Sequence, residues 1–132
     1  MAGEKVLLVD DEQDFLEFMG ERIRSWGYLV LRAKSGKEAI AALEKENPQI
    51  IILDYMMPEM NGVEALKEIR RLMPQVPVIM LTAYPQEQVI KDALELGVVS
   101  FVPKVCYGSG AHDALQAALK IAEKKIQPAK EQ

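Results

Sequence analysis

The chain has 132 residues, of which 49% are apolar and 27% are charged, and its net charge is −4. This length and composition predict one globular domain with a sizeable core. The acidic balance and the lack of a basic stripe argue against a nucleic-acid-binding surface. No apolar run approaches membrane-spanning length, so we expect a cytoplasmic protein without membrane contact. The single cysteine, Cys106, excludes an internal disulfide and offers no four-ligand metal site.

The first strand and helix are predicted from residues 5 to 27. Residues 5–9 form a short apolar run, which is followed directly by the acids Asp10-Asp11-Glu12. A helical pattern starts at Asp14 and ends before Gly27, a residue type favoured just after a helix C-terminus. Its expected core positions recur at helical spacing: Phe15, Phe18, Met19, Ile23 and Trp26.

A second strand and helix are predicted from residues 28 to 48. Residues 28–33 favour a strand near the sheet edge, because Arg32 interrupts the apolar run. Ser35 and Glu38 have the spacing of a capping box at the start of the second helix. Ala39, Ile40 and Leu43 are its expected inward positions, and Asn47-Pro48 ends it.

Residues 50–64 predict a buried strand, a loop and the start of the third helix. Residues 50–53 are four consecutive apolar residues, which is typical of a parallel strand buried on both faces. The run ends on Asp54, and Pro58 and Asn61-Gly62 mark a loop before the third helix. Asn61 and Glu64 again have capping-box spacing. Asp54 is therefore predicted at the carboxyl end of a central strand, where open α/β folds bind their ligands.

The last third of the chain continues the alternation. We expect a fourth strand at residues 78–81 ending on Thr82, a helix at residues 85–96, and a fifth strand at residues 98–102 followed by Lys104. The fifth helix is predicted from about Asp113 to Ile126, and residues 127–132 are a polar tail or the start of a linker. Five strands alternating with five helices favour an α/β fold, a doubly wound parallel sheet.

Polar residues follow four of the five predicted strands: Asp10 and Asp11, Asp54, Thr82, and Lys104. Parallel strands bring their carboxyl ends to one edge, so we expect these side chains to meet there. Three close carboxylates repel one another, and without a cation at least one would tend to keep its proton. Mg²⁺ would resolve this conflict and leave room for a phosphate oxygen. One carboxylate could then act as a nucleophile toward phosphorus.

Four motifs at these strand ends carry a family resemblance: Val-Asp-Asp, Leu-Asp-x-x-Met-Pro-x-Met-Asn-Gly, Leu-Thr-Ala and Phe-Val-Pro-Lys. Their order and spacing resemble the receiver domain of bacterial two-component response regulators, with a domain spanning residues 4–126. The resemblance implies a flavodoxin-like sheet of strand order 2-1-3-4-5. It also implies phosphorelay signalling by a phosphoprotein that is not an enzyme in the usual sense, although it assists its own phosphorylation and dephosphorylation.

The resemblance further implies a role for each site residue. Asp54 would accept the phosphoryl group from a sensor histidine kinase or a phosphotransfer protein. Asp10, Asp11, Asp54 and the backbone carbonyl of Met56 would hold Mg²⁺, and Lys104 and Thr82 would contact the phosphoryl group.

Thr82 and Phe101 resemble the family's switch pair, in which the hydroxyl moves to the phosphate and the ring turns inward. The surface of helix four, strand five and helix five would then change, either for a partner or for a homodimer.

Three residues and one loop near the site depart from the family pattern or modulate it. Val105 follows Lys104 where the family has proline, so a trans peptide is expected there. The loop at residues 105–112 is predicted to be longer than usual. Met56 and Tyr84 favour a phosphoryl group that is hydrolysed slowly, because the Met56 side chain cannot hold a water and Tyr84 can cover the pocket.

Two alternative functions remain open on the sequence. An aspartyl-phosphate phosphatase of the haloacid dehalogenase type would need a second aspartate at position 56, where this chain has Met56. A degenerate receiver would bind partners without being phosphorylated. The five intact strand-end residues argue against the degenerate form, while the Val105 loop leaves room for it.

Overall fold

A computed structural model describes residues 3–83, 86–104 and 109–126, with only the backbone for residues 109–112. Its five strands are β1 (Lys5–Val9), β2 (Leu29–Ala33), β3 (Ile50–Asp54), β4 (Val78–Thr82) and β5 (Ser100–Pro103). All are parallel and lie in the order β2-β1-β3-β4-β5. The predicted doubly wound, flavodoxin-like sheet is confirmed.

Five helices connect and flank the strands: α1 (Gln13–Ser25), α2 (Gly36–Glu46), α3 (Gly62–Leu72), α4 (Glu87–Glu95) and α5 (Ser109–Lys124). Successive strand residues point to opposite faces, so each central strand supplies two separate core layers. One layer packs against α1 and α5, and the other packs against α2, α3 and α4. Ile50–Asp54 and Val78–Thr82 are buried throughout, as expected for strands covered on both faces. Among the described residues, no helix combines the length and apolarity needed to cross a bilayer.

Two predicted capping boxes have different outcomes. At α3 the box is complete, because Asn61 accepts from the Glu64 N–H while the Glu64 side chain accepts from the Asn61 N–H. At α2, Ser35 accepts from the Glu38 N–H, as predicted. The Glu38 carboxylate, however, accepts from the N–H of Lys34, one residue before the cap. The second box is therefore only half formed.

Several predicted boundaries were wrong by a few residues. The largest error concerns α5, which begins at Ser109 rather than near Asp113, so residues 109–112 of the predicted loop are helical; residues 105–108 lie outside the described residues. Gly108 and Gly110 favoured a loop, but neighbouring glycines lower helix propensity without forbidding a helix. β5 begins at Ser100, because Val98 still closes the α4 turn through the Ala93 carbonyl. Phe18, expected at a core position of the first helix, is exposed.

Candidate functional site

The site forms where β1, β3, β4 and β5 end. Asp10 follows β1, Asp54 and Thr82 are the last residues of β3 and β4, and Lys104 follows β5. Asp10, Asp54 and Thr82 are buried, and their strands place them at the same edge. The backbone N–H of Lys104 donates to the Thr82 carbonyl at 2.9 Å, which extends the β4–β5 pairing and positions the lysine. The predicted convergence of these residues is confirmed.

The start of α3 lies directly against this edge. Gly62 donates its N–H to the Tyr55 carbonyl at 2.8 Å. A Cβ atom at Gly62 would lie 2.7 Å from the Tyr55 Cα and 2.8 Å from the Asp54 carbonyl oxygen. Only glycine permits this close approach, so the Asn61-Gly62 pair fixes the loop that follows the Asp54 strand end.

Three carboxylates form a compact acidic cluster. Asp10, Asp11 and Asp54 each offer an oxygen atom within 4.8 Å of the others. Asp10 and Asp54 are buried while Asp11 is exposed, so the cluster is open to solvent on one side. The Asp54 Oδ1 atom is buried without a hydrogen-bond partner among the described residues. These oxygens are the ligands that a hard divalent cation prefers, so the residues fit Mg²⁺.

The electrostatics of the cluster follow from burial and like charge. Burial, together with the neighbouring Asp10 charge, raises the pKa of Asp54 to about 7, although Lys104 opposes the shift. Burial also raises the pKa of Asp10, against a hydrogen bond from Lys104. A carboxyl group that keeps its proton near neutral pH is the expected result when clustered acids lack a cation.

Lys104 is the cation inside the site. Its Nζ atom lies 2.8 Å from Asp10 Oδ2, 2.8 Å from Glu12 Oε1 and 3.5 Å from Asp54 Oδ2. The Phe15 ring centroid lies 4.8 Å away, within the range of a cation–π contact. Burial lowers the pKa of Lys104, but its hydrogen bonds to Asp10 and Glu12 and the nearby negative charges outweigh burial and raise it. The ammonium is therefore firmly charged.

Among the described residues, Glu12 and Phe15 are the site residues that sequence reasoning missed. Glu12 follows directly after Asp10-Asp11, and this proximity was the only signal for it in the sequence. Phe15 was assigned to the core, where its ring does lie, yet the ring also faces the ammonium of Lys104.

Other predicted residues lie around the cluster. Met56 is 54% exposed, two residues after Asp54. Phe101 is half-buried, pairs in register with Met80, and packs at the edge of the α2–α3–α4 layer. Tyr84 and the Lys104–Val105 peptide lie outside the described residues.

A surface concavity of about 650 Å³ lies at the opposite edge of the sheet, lined by residues that include Arg70, Glu95 and Lys125. The Arg70 guanidinium donates to four backbone carbonyls there, those of Leu96, Met73, Val76 and Gly97. Because its donors are occupied, this arginine does not form an anion site, and the reactive groups remain those at the carboxyl edge.

Comparison with known proteins agrees with this geometry. Residues 6–120 match the model of the response regulator receiver domain family. The transcriptional regulatory protein GlrR of Escherichia coli strain K12 is 36% identical over 115 residues, which cover 87% of this chain and 26% of GlrR. The alkaline phosphatase synthesis transcriptional regulatory protein PhoP of Bacillus subtilis is 32% identical over 121 residues, 92% of this chain and 50% of PhoP.

Solved structures give the same result. The Vibrio cholerae chemotaxis protein CheY4 superposes with a TM-score of 0.82 at 27% identity, covering 91% of this chain and 99% of CheY4. The chain therefore belongs to the response regulator receiver domain family, the domain of two-component systems that signals by accepting a phosphoryl group. It spans half or less of the length of the two curated regulators above, so their remaining parts have no counterpart in the match.

Proposed function

We propose that the chain accepts a phosphoryl group on Asp54 from a histidine kinase or phosphotransfer protein and passes the signal on through a changed surface. The observation that carries this proposal is the state of the Asp54 carboxyl group. It is buried beside Asp10, its Oδ1 atom has no hydrogen-bond partner among the described residues, and its pKa is raised to about 7. A buried carboxyl group without hydrogen-bond partners destabilises a fold unless a cation pairs with it. Carboxyl groups with such a raised pKa are concentrated at functional sites.

Asp10, Asp11, Asp54 and the Met56 carbonyl would hold Mg²⁺. When bound, the ion would neutralise the carboxylates and stabilise the charge on the phosphoryl oxygens. The spacing of the three carboxylates supports this ligand set. The exposed Asp11 would complete the set from the solvent side.

The transfer step needs little from the protein beyond positioning and charge. A carboxylate oxygen of Asp54 would attack phosphorus, forming an O–P bond. The bond between phosphorus and the donor nitrogen of a phosphohistidine would break, and its electron pair would leave with the imidazole. Lys104 and the Thr82 hydroxyl would donate to the phosphoryl oxygens, as their places at the ends of β5 and β4 suggest.

The output would follow from the charge that the phosphoryl group adds. It would draw the Thr82 hydroxyl toward the site, and the Phe101 ring would turn into the space that opens. The half-buried place of Phe101 at the edge of a core layer supports this role, because the ring is not fully enclosed. The surface of α4, β5 and α5 would then bind a partner or a second copy of the chain. We place this activity in the cytoplasm, without direct binding of nucleic acid or membrane.

Met56 and Tyr84 would set the lifetime of the phosphoryl group. The Met56 side chain is exposed two residues after the acceptor, and its thioether is a weak hydrogen-bond acceptor with no donor, so it would orient an attacking water poorly. Met56 also occupies the position where a haloacid dehalogenase-type phosphatase needs its second aspartate. The chain would therefore hold its phosphoryl group rather than turn over substrates, and it would not be an enzyme.

Acetyl phosphate provides a direct test. Wild type, Asp54→Asn and Asp14→Asn would be incubated with Mg²⁺ and acetyl phosphate, and each intact mass measured. Asp14 is an exposed acid in the first turn of α1, so its variant makes the same charge change outside the cluster. We expect a phosphoryl adduct on wild type and Asp14→Asn only. Equal adducts on all three would move the acceptor elsewhere, and no adduct on any would favour a degenerate receiver.

A further inference from the structure

The ammonium of Lys104 is held more closely by Asp10 and by Glu12, the N-cap residue of α1, than by the proposed phosphoacceptor. Asp10 and Glu12 each lie 2.8 Å from Nζ, whereas Asp54 lies 3.5 Å away. The Phe15 ring, also on α1, lies 4.8 Å from Nζ. Two of the four neighbours, Glu12 and Phe15, therefore draw the lysine toward α1, while Asp10 and Asp54 belong to the acidic cluster.

Glu12 differs from the other acids around Lys104. Asp10 and Asp54 are buried members of the proposed metal site, while Glu12 is 64% exposed and is not one of the three clustered carboxylates. The backbone of Glu12 is fixed, because its N–H donates to Asp10 Oδ1 at 2.9 Å. Its side chain reaches across 92 residues of sequence to Lys104, which is only 13% exposed. The Glu12 carboxylate is not one of the three clustered carboxylates, but it occupies the ammonium group that a phosphoryl group would need.

We propose that Glu12 is a positioning residue, which holds Lys104 toward α1 and must release it when a phosphoryl group arrives at Asp54. This inference rests on the proposed function and adds to it. An anion that pairs with Lys104 competes with any phosphoryl oxygen for the same ammonium, so Glu12 sets how readily the site is occupied. Its exposure makes the competition mild and easily reversed.

The expected effect on binding of a phosphoryl analogue depends on both Glu12 and Lys104. Glu12→Gln keeps the size of the side chain and removes the charge, which frees Lys104 to turn toward Asp54. We expect tighter binding of an aspartyl-phosphate analogue, by about threefold to fivefold, which is the scale of one partly exposed ion pair. A general effect of removing one negative charge would instead persist when Lys104 is absent.

A double-mutant cycle separates the two effects. Wild type, Glu12→Gln, Lys104→Met and the double variant would be titrated with beryllium fluoride at saturating Mg²⁺, with binding measured by calorimetry. Saturation is checked for each variant, because the charge change also affects Mg²⁺ affinity. Asp14→Asn is the matched control, an exposed acid of α1 whose substitution makes the same charge change. Circular dichroism confirms that each variant is folded.

The proposal expects a gain in affinity from Glu12→Gln that falls below about twofold in the Lys104→Met background, and no comparable gain from Asp14→Asn. The rate of phosphorylation by acetyl phosphate at low donor concentration should rise in parallel. An equal gain in both backgrounds, or none in either, would overturn the role of Glu12 while leaving Asp54 as the acceptor. A wild type that does not bind beryllium fluoride would instead overturn the proposed function, and this inference with it.

Discussion

Two partly buried cations lie at opposite edges of the sheet, and they differ in the kind of oxygen atom that surrounds them. Lys104, at the carboxyl edge, lies among the carboxylates of Asp10, Glu12 and Asp54. Arg70, at the amino edge, donates to four uncharged carbonyl oxygens, and no ion pair to it is found within the described ranges. Burial lowers the pKa of Arg70, while the acids around Lys104 raise its pKa despite burial.

The difference separates a contact with fixed backbone atoms from a contact with movable side chains. The carbonyls around Arg70 belong to the ends of α3 and α4 and to the loop before β4, so they cannot move without moving the backbone. The carboxylates around Lys104 are side chains that can exchange one cation for another. The proposed site for metal and a phosphoryl group would need the second arrangement, whereas a purely structural contact needs the first.

The largest effect is expected from Arg70→Met. The substitution keeps much of the apolar stem and leaves four carbonyls without this donor, three of them in partly buried hydrogen bonds, so we expect a loss of about 2–4 kcal/mol in the free energy of unfolding. Urea denaturation measures it. Arg71→Met is the matched control, because exposed Arg71 pairs only with Glu68 among the described residues and should cost under about 1 kcal/mol. Equal losses in the two variants would show that the carbonyl contacts of Arg70 are not a special source of stability.

The sequence predicted the polar residues that meet at the carboxyl edge of the sheet much better than the contacts of Arg70 at the amino edge. Asp10, Asp54, Thr82 and Lys104 each follow a short apolar run, and the parallel topology alone brings such positions together. Arg70 offered no comparable signal, because on α3 it reads as one more charged residue of an amphipathic helix. Its partners come from backbone carbonyls, which carry no residue identity. The Glu12–Lys104 pair was missed for a related reason. Whether a side chain at the start of α1 reaches a side chain at the end of β5 depends on tertiary packing, which the sequence pattern does not show.

A second effect, of opposite sign, is expected from Asp54→Asn in metal-free protein. The folded pKa of Asp54 is about 7, above its usual value of 3.8, so the folded state favours the protonated form. Stability is therefore lost as pH rises from about 4 to about 7, and the full cost is present above that range. Asparagine removes this cost, and we expect Asp54→Asn to be more stable than wild type by about 1–3 kcal/mol at pH 8.

Urea unfolding in a chelator at pH 5 and at pH 8 checks the sign. The advantage of Asp54→Asn should be clearly larger at pH 8 than at pH 5. Added Mg²⁺ should reduce it, because the ion stabilises the wild-type cluster by binding. An advantage that does not vary with pH would trace the effect to something other than the charge of Asp54.

The smallest effect concerns metal affinity and tests whether Lys104 is an exchangeable cation. In metal-free protein Lys104 neutralises part of the cluster, and an incoming ion must compete with it for Asp10 and Asp54. Lys104→Met removes that competitor, so we expect Mg²⁺ to bind about threefold to tenfold more tightly. Lys67→Met, at an exposed position of α3, makes the same charge change and should alter affinity by less than about twofold. Weaker Mg²⁺ binding by Lys104→Met would show instead that the ammonium organises the carboxylates for the metal. Lys104 would then be a fixed structural cation like Arg70, and the contrast drawn between the two edges would be wrong.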